Sequence, residues 1–351
     1  MDKLKDTIGR ISGRDNELMK AAARRLDNLT KPPGSLGRLE NLATEIVGMT
    51  RAKNPLLGRK TIFTLAADHG VVEEGVSAFP QEVTAQMVMN FLAGGAAINV
   101  LSNHIGARVI IADVGVVADL GERPGLIVRK VGRGTRNMAK EAAMSRQGAI
   151  ASIETGIAIF EDEMERGVDI AGVGEMGIGN TTAASAITAV VTGQPVEEVT
   201  GYGAGVDEIG RQRKVDVIKK ALDVNSPDPR DLLDVLAKVG GFEIGGLAGI
   251  ILGAAARRVP VMVDGFISGS AALIAVGLAP QAADFLIASH RSVEKGHKVI
   301  LDYLKLEPLL DLNMRLGEGT GAALGIGIAE ASVKILTQMA TFDSAGVSKR
   351  D

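Results

Sequence analysis

The sequence predicts an α/β fold built on a mostly parallel sheet with helices on both faces, and three observations carry that prediction. Five short β-compatible runs, 61–70, 107–116, 168–175, 259–268 and 283–292, recur along the chain. Between them lie stretches whose apolar residues follow helical spacing, at 80–104, 139–166, 181–192, 208–223, 230–239, 245–258 and 269–278. Strands alternating with helices require right-handed crossovers and hence parallel pairing. Each run also ends in Asp, His, Ser or Glu, near glycine in four of the five, which collects polar groups at the end of the sheet where open α/β folds bind ligands. Five such ends converging favour an enzyme acting on a small molecule over a structural protein.

Composition narrows the class further. A chain of 351 residues, 46% hydrophobic and 23% charged, is long enough for one large α/β domain plus a smaller piece. A net charge of −3, no long basic run, 3% aromatics and no Trp argue against nucleic acid as a partner. Cysteine is absent, which excludes disulfides, thiolate nucleophiles and Cys-ligated zinc or iron–sulfur centres. The opening MDKLKDTIGRISGRD is polar and lacks a signal core. No run is expected to reach bilayer-spanning length, so no membrane is involved and the expected location is cytoplasmic.

In chain order, residues 1–30 read as amphipathic helix with a break near Gly13. KPPGSLGRLE (31–40) interrupts it, because two prolines forbid helix continuation, and Ser35 is placed to cap the helix that follows. This segment is also fully explained as a Pro-Gly connector. After the five strand and helix units the chain ends in MRLGEGTGAALGIGIAEASVKILTQMA (314–340), a loop and then a long helix beginning near Thr320. Gly321, Gly325 and Gly327 in its first half permit close packing. Helices at the two ends of the chain could pack together as a small domain.

The chemistry centres on 168–192. Val168, Ile170, Ala171 and Val173 form a strand; Gly172, Gly174, Gly177 and Gly179 allow positive φ and close approach to a ligand. Asn180, Thr181 and Thr182 then set hydroxyl, amide and N–H donors at a helix N-terminus. That construction suits phosphate, and it equally serves as a plain connector. Glu175 in its midst would repel phosphate unless turned aside, which suggests chemistry next to a phosphate. Glu318, between Gly317 and Gly319, either complements a helix dipole or acts as a chemical acid or base. Lys214 reads as an exposed helix lysine, and Gly201, Gly203 and Gly205 form a further glycine-rich turn. No GxxxxGK[ST], HExxH, HxH or GxSxG occurs, so no metal is expected, and His69 and His290 are left to orient loops or bind substrate through hydrogen bonds.

Together KPPGSLGRLE, ADHGV (67–71), GVGEMGIGNTTAASA (172–186), KVGGFEIGGLAG (238–249), VDGFIS (263–268), ASHRSVEKGH (288–297) and MRLGEGTGAAL (314–324) resemble the nicotinate-nucleotide–dimethylbenzimidazole phosphoribosyltransferase family, from Lys31 to Ala340 and in the same order. The resemblance implies a Rossmann-like large domain over 59–312, a small helical domain formed by 1–58 with 313–351, and a homodimer that needs no cofactor. It also implies transfer of a 5-phosphoribosyl group from nicotinate mononucleotide to 5,6-dimethylbenzimidazole. Glu318 falls on the family's general base and Glu175 on a second acid near the base. The phosphate loop falls on Gly177, Ile178, Gly179, Asn180, Thr181 and Thr182, while Gly203, Lys214, Asp264, Gly265 and Ser292 fall on the nucleotide side. Phe79, Gln86, Met87, Met176 and Leu316 are candidates for the slot that takes the incoming base. SAFPQEVTAQM (77–87) departs from the polar pair that some members place there, which leaves acceptor preference open. A helix N-terminus would be expected to lower the pKa of Glu318. A nucleosidase, a transferase using another base, or a non-catalytic nucleotide sensor are the competing readings.

Overall fold

Every residue of KTIFTLAA is buried, and a strand without one exposed face belongs at the centre of a sheet covered on both sides. This is β1 (Lys60–Ala67). The computed structural model describes residues 2–203 and 205–348; Met1, Ala204 and 349–351, which fall within the expected chain-end domain and the glycine-rich turn, lie outside them. Around β1 stand β2 (Arg108–Gly115), β3 (Leu126–Val128), β4 (Ile170–Met176), β5 (Val261–Val263) and β6 (Leu286–Ala288). They pair in parallel throughout, in the order β3-β2-β1-β4-β5-β6. Strand order therefore reverses between β1 and β4, which opens a crevice at their carboxyl ends. All five expected strands are present. The sixth, β3, is a three-residue edge strand too short to show a period.

The helices follow in chain order: α1 (Asp2–Gly9), α2 (Asn16–Asp27), α3 (Arg38–Thr50), α4 (Glu82–Leu92), α5 (Ala97–Ile105), α6 (Arg146–Met164), α7 (Asn180–Thr192) and α8 (Val196–Val199). After them come α9 (Glu208–Asn225), α10 (Leu232–Val239), α11 (Phe242–Ala256), α12 (Phe266–Leu278), α13 (Lys295–Leu304), α14 (Thr320–Gln338) and α15 (Phe342–Ala345). Three local expectations are corrected. The helix expected over 80–104 is two, because Gly94 takes a φ of 77° and ends the first. The helix expected from 139 begins only at Arg146, since the N–H groups of Ala143 and Met144 donate to Lys238 and Ala237 instead. Ser35 does not cap α3. The N-cap position is Gly37, and a buried Lys31–Glu40 pair at 2.7 Å closes the Pro-Gly loop, with Glu40 also accepting the Leu36 N–H at 2.9 Å.

The two faces are covered by different parts of the chain. Ile62 and Leu65, three apart in β1, point to opposite sides. Ile62 shares its side with Ala322 and Ile326 of α14, and Leu65 lies against Gly246 of α11. α14 also packs on α3 and α5, and α11 on α6. By length and hydropathy the stretches Glu82–Ile105 and Thr320–Gln338 could cross a bilayer, contrary to expectation. The first is broken by the Gly94 turn, and the second is a core helix between the sheet and α3. A second, smaller core joins the chain ends, with Ala22, Leu26 and Leu29, Ala43 and Val47 of α3, and Leu336 of α14. α1 lies apart from it, against α6 and α11.

The α6–α11 contact depends on two glycines. A Cβ on Gly156 would run into the Gly246 carbonyl, so the two backbones touch directly. Gly156→Ala should therefore cost about 1–3 kcal/mol of stability through overpacking. Gly9→Ala, where a Cβ meets nothing within 4 Å, is the control. Urea midpoints compare the two; equal midpoints would mean that the helices separate freely.

Candidate active site

The carboxyl ends of β1, β4, β5 and β6 enclose a cavity of about 320 Å³. Its polar rim begins where β4 runs out. Gly179 takes a φ of 93°, which a side chain would resist, and α7 starts at the next residue. Gly177, Ile178, Gly179, Asn180 and Thr181 line the cavity. Thr182 points away, with its hydroxyl buried and without a hydrogen-bond partner among the described residues. Several donors are consumed in making the turn. The Asn180 N–H binds Gly177 O, the Thr182 N–H binds Gly179 O, and the Ile178 N–H donates to Thr84 Oγ1 at 3.1 Å.

Lys214 is not the exposed helix lysine that its surroundings in the sequence suggest. It is 1% exposed, and its Nζ donates to Thr181 Oγ1 at 2.8 Å. Burial pushes its pKa down to about 8 against the opposing pull of Glu294. Gly203 closes over the pair; a Cβ there would lie 2.9 Å from Thr181 Oγ1 and 3.0 Å from Lys214 Nζ. Arg315 ties this corner to the loop before α14 by donating to Gly203 O at 3.0 Å.

Three buried acids face the same space. Glu175, next to last in β4, receives the Asn180 side-chain amide on Oε2. Burial raises its pKa to about 8, with repulsion from Glu243, Asp264 and Glu318 adding to the shift and the Asn180 bond opposing it. Asp264 follows β5 and accepts the N–H groups of Gly319 at 3.2 Å and Ala322 at 3.0 Å. Burial holds it at about 7 in spite of those donors. Asp264 thus caps α14, which is the structural role that the sequence offered to Glu318. Glu318 is left outside the helix at a φ of 63°, 5% exposed, with Oε2 buried and without a hydrogen-bond partner among the described residues. Its pKa is raised by burial, against the Ile98 backbone N–H, and not lowered by the helix as expected.

The remaining walls divide into a polar and an apolar side. Gly265, His290 and Ser292 stand at the ends of β5 and β6. The Ser292 N–H donates to His297 Nδ1 at 2.9 Å; burial drops His297 to about 3, so that ring is neutral. Phe79, Val83, Met87, Met176 and Leu316 form the apolar side, with Phe79 48% and Leu316 58% exposed at its mouth. Gln86 does not join them. It is exposed and outside the cavity, because one residue before Met87 on α4 is about 100° around the helix. Sequence reasoning passed over Ser77, Glu294 and Arg315, which also line the cavity; they stand in loops and carry no periodic signal. Among the described residues, no three or more His, Asp or Glu side chains are grouped to hold a metal ion.

Comparison with known proteins agrees with this geometry. A family model described as phosphoribosyltransferase matches residues 11–347. The nicotinate-nucleotide–dimethylbenzimidazole phosphoribosyltransferase of Roseiflexus sp. (strain RS-1) is 59% identical over 348 residues, covering 99% of each chain. The protein of the same name from Chloroflexus aggregans is 57% identical over 350 residues, covering 100% of this chain and 99% of that one. The crystal structure of CobT from Thermus thermophilus superposes with a TM-score of 0.92 at 45% identity, covering 95% of this chain and 100% of that one. Similarity of this extent, running through the sheet, the glycine loop and both ends of the chain, makes this chain a member of the nicotinate-nucleotide–dimethylbenzimidazole phosphoribosyltransferase family.

Proposed function

We propose that the enzyme moves the 5-phosphoribosyl group of nicotinate mononucleotide to 5,6-dimethylbenzimidazole, giving α-ribazole 5′-phosphate and nicotinate for the lower ligand of cobalamin. The observation that carries the mechanism is the pair of buried acids, Glu175 and Glu318, opening on one cavity whose other wall holds Thr181, with Lys214 bonded to it from behind. The nicotinate ring leaves as a neutral base. The C1′–N bond breaks with its electron pair going to the pyridinium nitrogen, so the leaving group needs no acid. The unprotonated benzimidazole nitrogen attacks C1′ from the opposite face, which turns a β-nucleotide into an α-product. Positive charge then develops on the bicyclic ring, and its other N–H gives its proton to Glu318. A carboxylate with a raised pKa, free of the α14 amides, is a better base for this step than one held by a helix.

Glu175 plays a different part. With its pKa near 8 it is largely protonated at neutral pH, and the proton falls to Oε1 because Oε2 accepts from Asn180. A neutral acid among the phosphate donors repels nothing and can itself donate a hydrogen bond to the bound nucleotide. Gly177, Gly179, Asn180 and Thr181, backed by Lys214, hold the 5′-phosphate as a fixed handle, so that binding energy remote from C1′ orients the reacting carbon. Asp264 lines the nucleotide side of the cavity and also caps α14. The apolar slot takes the benzimidazole. We read the enzyme as a cytoplasmic homodimer, in which a partner would cover the half-exposed Phe79 and Leu316. The separate core shared by α2, α3 and α14 supports a small helical unit drawn from 1–58 and 313–351 against a body of 59–312, although α1 packs on that body.

Two expectations test the assignment of the acids. Glu318→Gln keeps shape and removes the proton acceptor, so kcat should fall about 10²–10⁴-fold while acceptor affinity persists. Glu175→Gln, which replaces a group already neutral, should cost less. Steady-state rates at saturating substrates decide this, and a near-normal Glu318→Gln with an inactive Glu175→Gln would reverse the roles.

The second expectation is thermodynamic. A carboxyl whose pKa is raised by folding contributes stability below its unfolded value and loses it as pH rises through the folded one. For Glu175 that window runs from the ordinary 4.5 to about 8. The melting temperature of Glu175→Gln relative to wild type should therefore climb between about pH 5 and about pH 8. A difference that stays flat across this range would show that the carboxyl ionises normally.

A further inference from the structure

Behind the glycine loop, on the side away from the cavity, lies a set of buried polar residues that the transfer chemistry does not use. Thr84 of α4 is fully buried and accepts the Ile178 N–H at 3.1 Å, so one of the loop's own amides is anchored from behind. Asp68, the residue after β1, accepts the Val117 N–H at 2.8 Å, and its carbonyl accepts the Thr135 N–H at 3.0 Å. Its carboxyl is pushed up by burial and drawn back by the Val117 amide and the Thr84 hydroxyl. His69 is next, and its ring forms the floor of the loop. A Cβ on Gly177 would lie 3.4 Å from its Cδ2 and Nε2, and a Cβ on Gly179 would lie 3.4 Å from its Cβ. On its far side, His69 Nε2 meets Glu243 Oε1 at 2.7 Å, with both side chains sealed from solvent. Glu243 stands in the first turn of α11.

We propose that Thr84, Asp68, His69 and Glu243 form a cradle that fixes the 177–179 loop in the shape that receives the substrate's 5′-phosphate. They are positioning residues, joining the end of β1, α4, α11 and the loop in one buried network. The physical need is plain. A turn of Gly177, Ile178 and Gly179 has little side-chain mass to hold it, and glycine backbones lose the most freedom on ordering. A phosphate handle orients C1′ only if the loop is already set before binding, since a displacement of about 1 Å can cost 10²-fold in rate. The His69–Glu243 pair suits this task because it is neutral as a whole. Burial alone would discharge His69, but the Glu243 charge and hydrogen bond outweigh it. The loop thus gains a rigid floor without a net charge beneath the phosphate.

This inference rests on the phosphate-handle reading above, and the experiment keeps the two apart. Single-turnover kcat/KM is measured for nicotinate mononucleotide and for nicotinate riboside, which lacks the phosphate, with the full-length enzyme in excess. Wild type should prefer the nucleotide strongly. Thr84→Val, of equal volume but unable to accept the Ile178 N–H, should lose about ten- to hundredfold of that preference, with the riboside rate unchanged. Thr84→Ser, which keeps the hydroxyl, should restore it. Glu243→Gln is the second variant, with the same expected loss of preference. If the variants slow both substrates by one factor, or neither, the cradle is overturned. If wild type itself shows no preference, the phosphate-handle reading falls and the proposal with it.

Discussion

Asp264 at the end of β5 takes the free amides at the start of α14, and the geometry of the site depends on that contact. A helix N-terminus left uncapped in a buried crevice would recruit the nearest carboxylate, which in sequence is Glu318. Because Asp264 satisfies those amides, Glu318 is released into the cavity. The left-handed backbone at Gly317, Glu318 and Gly319 turns it outward, at a strain that only a well-held loop can retain. The loop is pinned on its other side as well, with Thr64 Oγ1 donating to Glu318 O at 3.0 Å. Gly174 lies so close that a Cβ there would run into the Glu318 and Gly319 backbone. An aspartate far from Glu318 in sequence therefore keeps the α14 amides from it.

The cavity gathers charges that folding alone would avoid. Glu175 and Asp264 are held near neutral pH, and Lys214 is brought down to about 8, each chiefly by loss of water. Ionised groups kept dry without close counter-ions lower stability, and they persist where function uses them. In the mechanism we propose, the same desolvation would serve the reaction. It raises the pKa of Glu175 to about 8 and that of Glu318 as well, as the proposed mechanism would require of a neutral group beside the phosphate and of a proton acceptor. Met87, Met176 and Leu316 add an apolar wall to the same cavity.

Stability is drawn instead from the two layers around β1. Glycines at the α6–α11 contact bring backbones into touch, and α14 carries the C-terminal end of the chain across the sheet to meet α3. The buried Lys31–Glu40 pair explains a segment that local sequence reads as a mere connector. It folds the Pro-Gly loop onto the start of α3, where no side chain caps the helix.

Local periodicity determined much of this protein. The alternation of apolar runs with helical stretches led to the parallel sheet, the glycines of 172–179 to a strand, turn and helix, and the long motifs to the family. These are properties of neighbours in the chain, and neighbours in the chain are what a sequence displays. Only the tertiary structure decided that Lys214 is buried against Thr181, that Asp264 rather than Glu318 caps α14, that Gln86 faces away from the cavity, and that Thr182 points into the core. It also decided the break at Gly94 and the three-residue β3. The physical reason is common to all of them. A side chain's burial, partners and pKa are set by groups tens to hundreds of residues distant, and a segment's own pattern records which face is apolar but not what that face will meet.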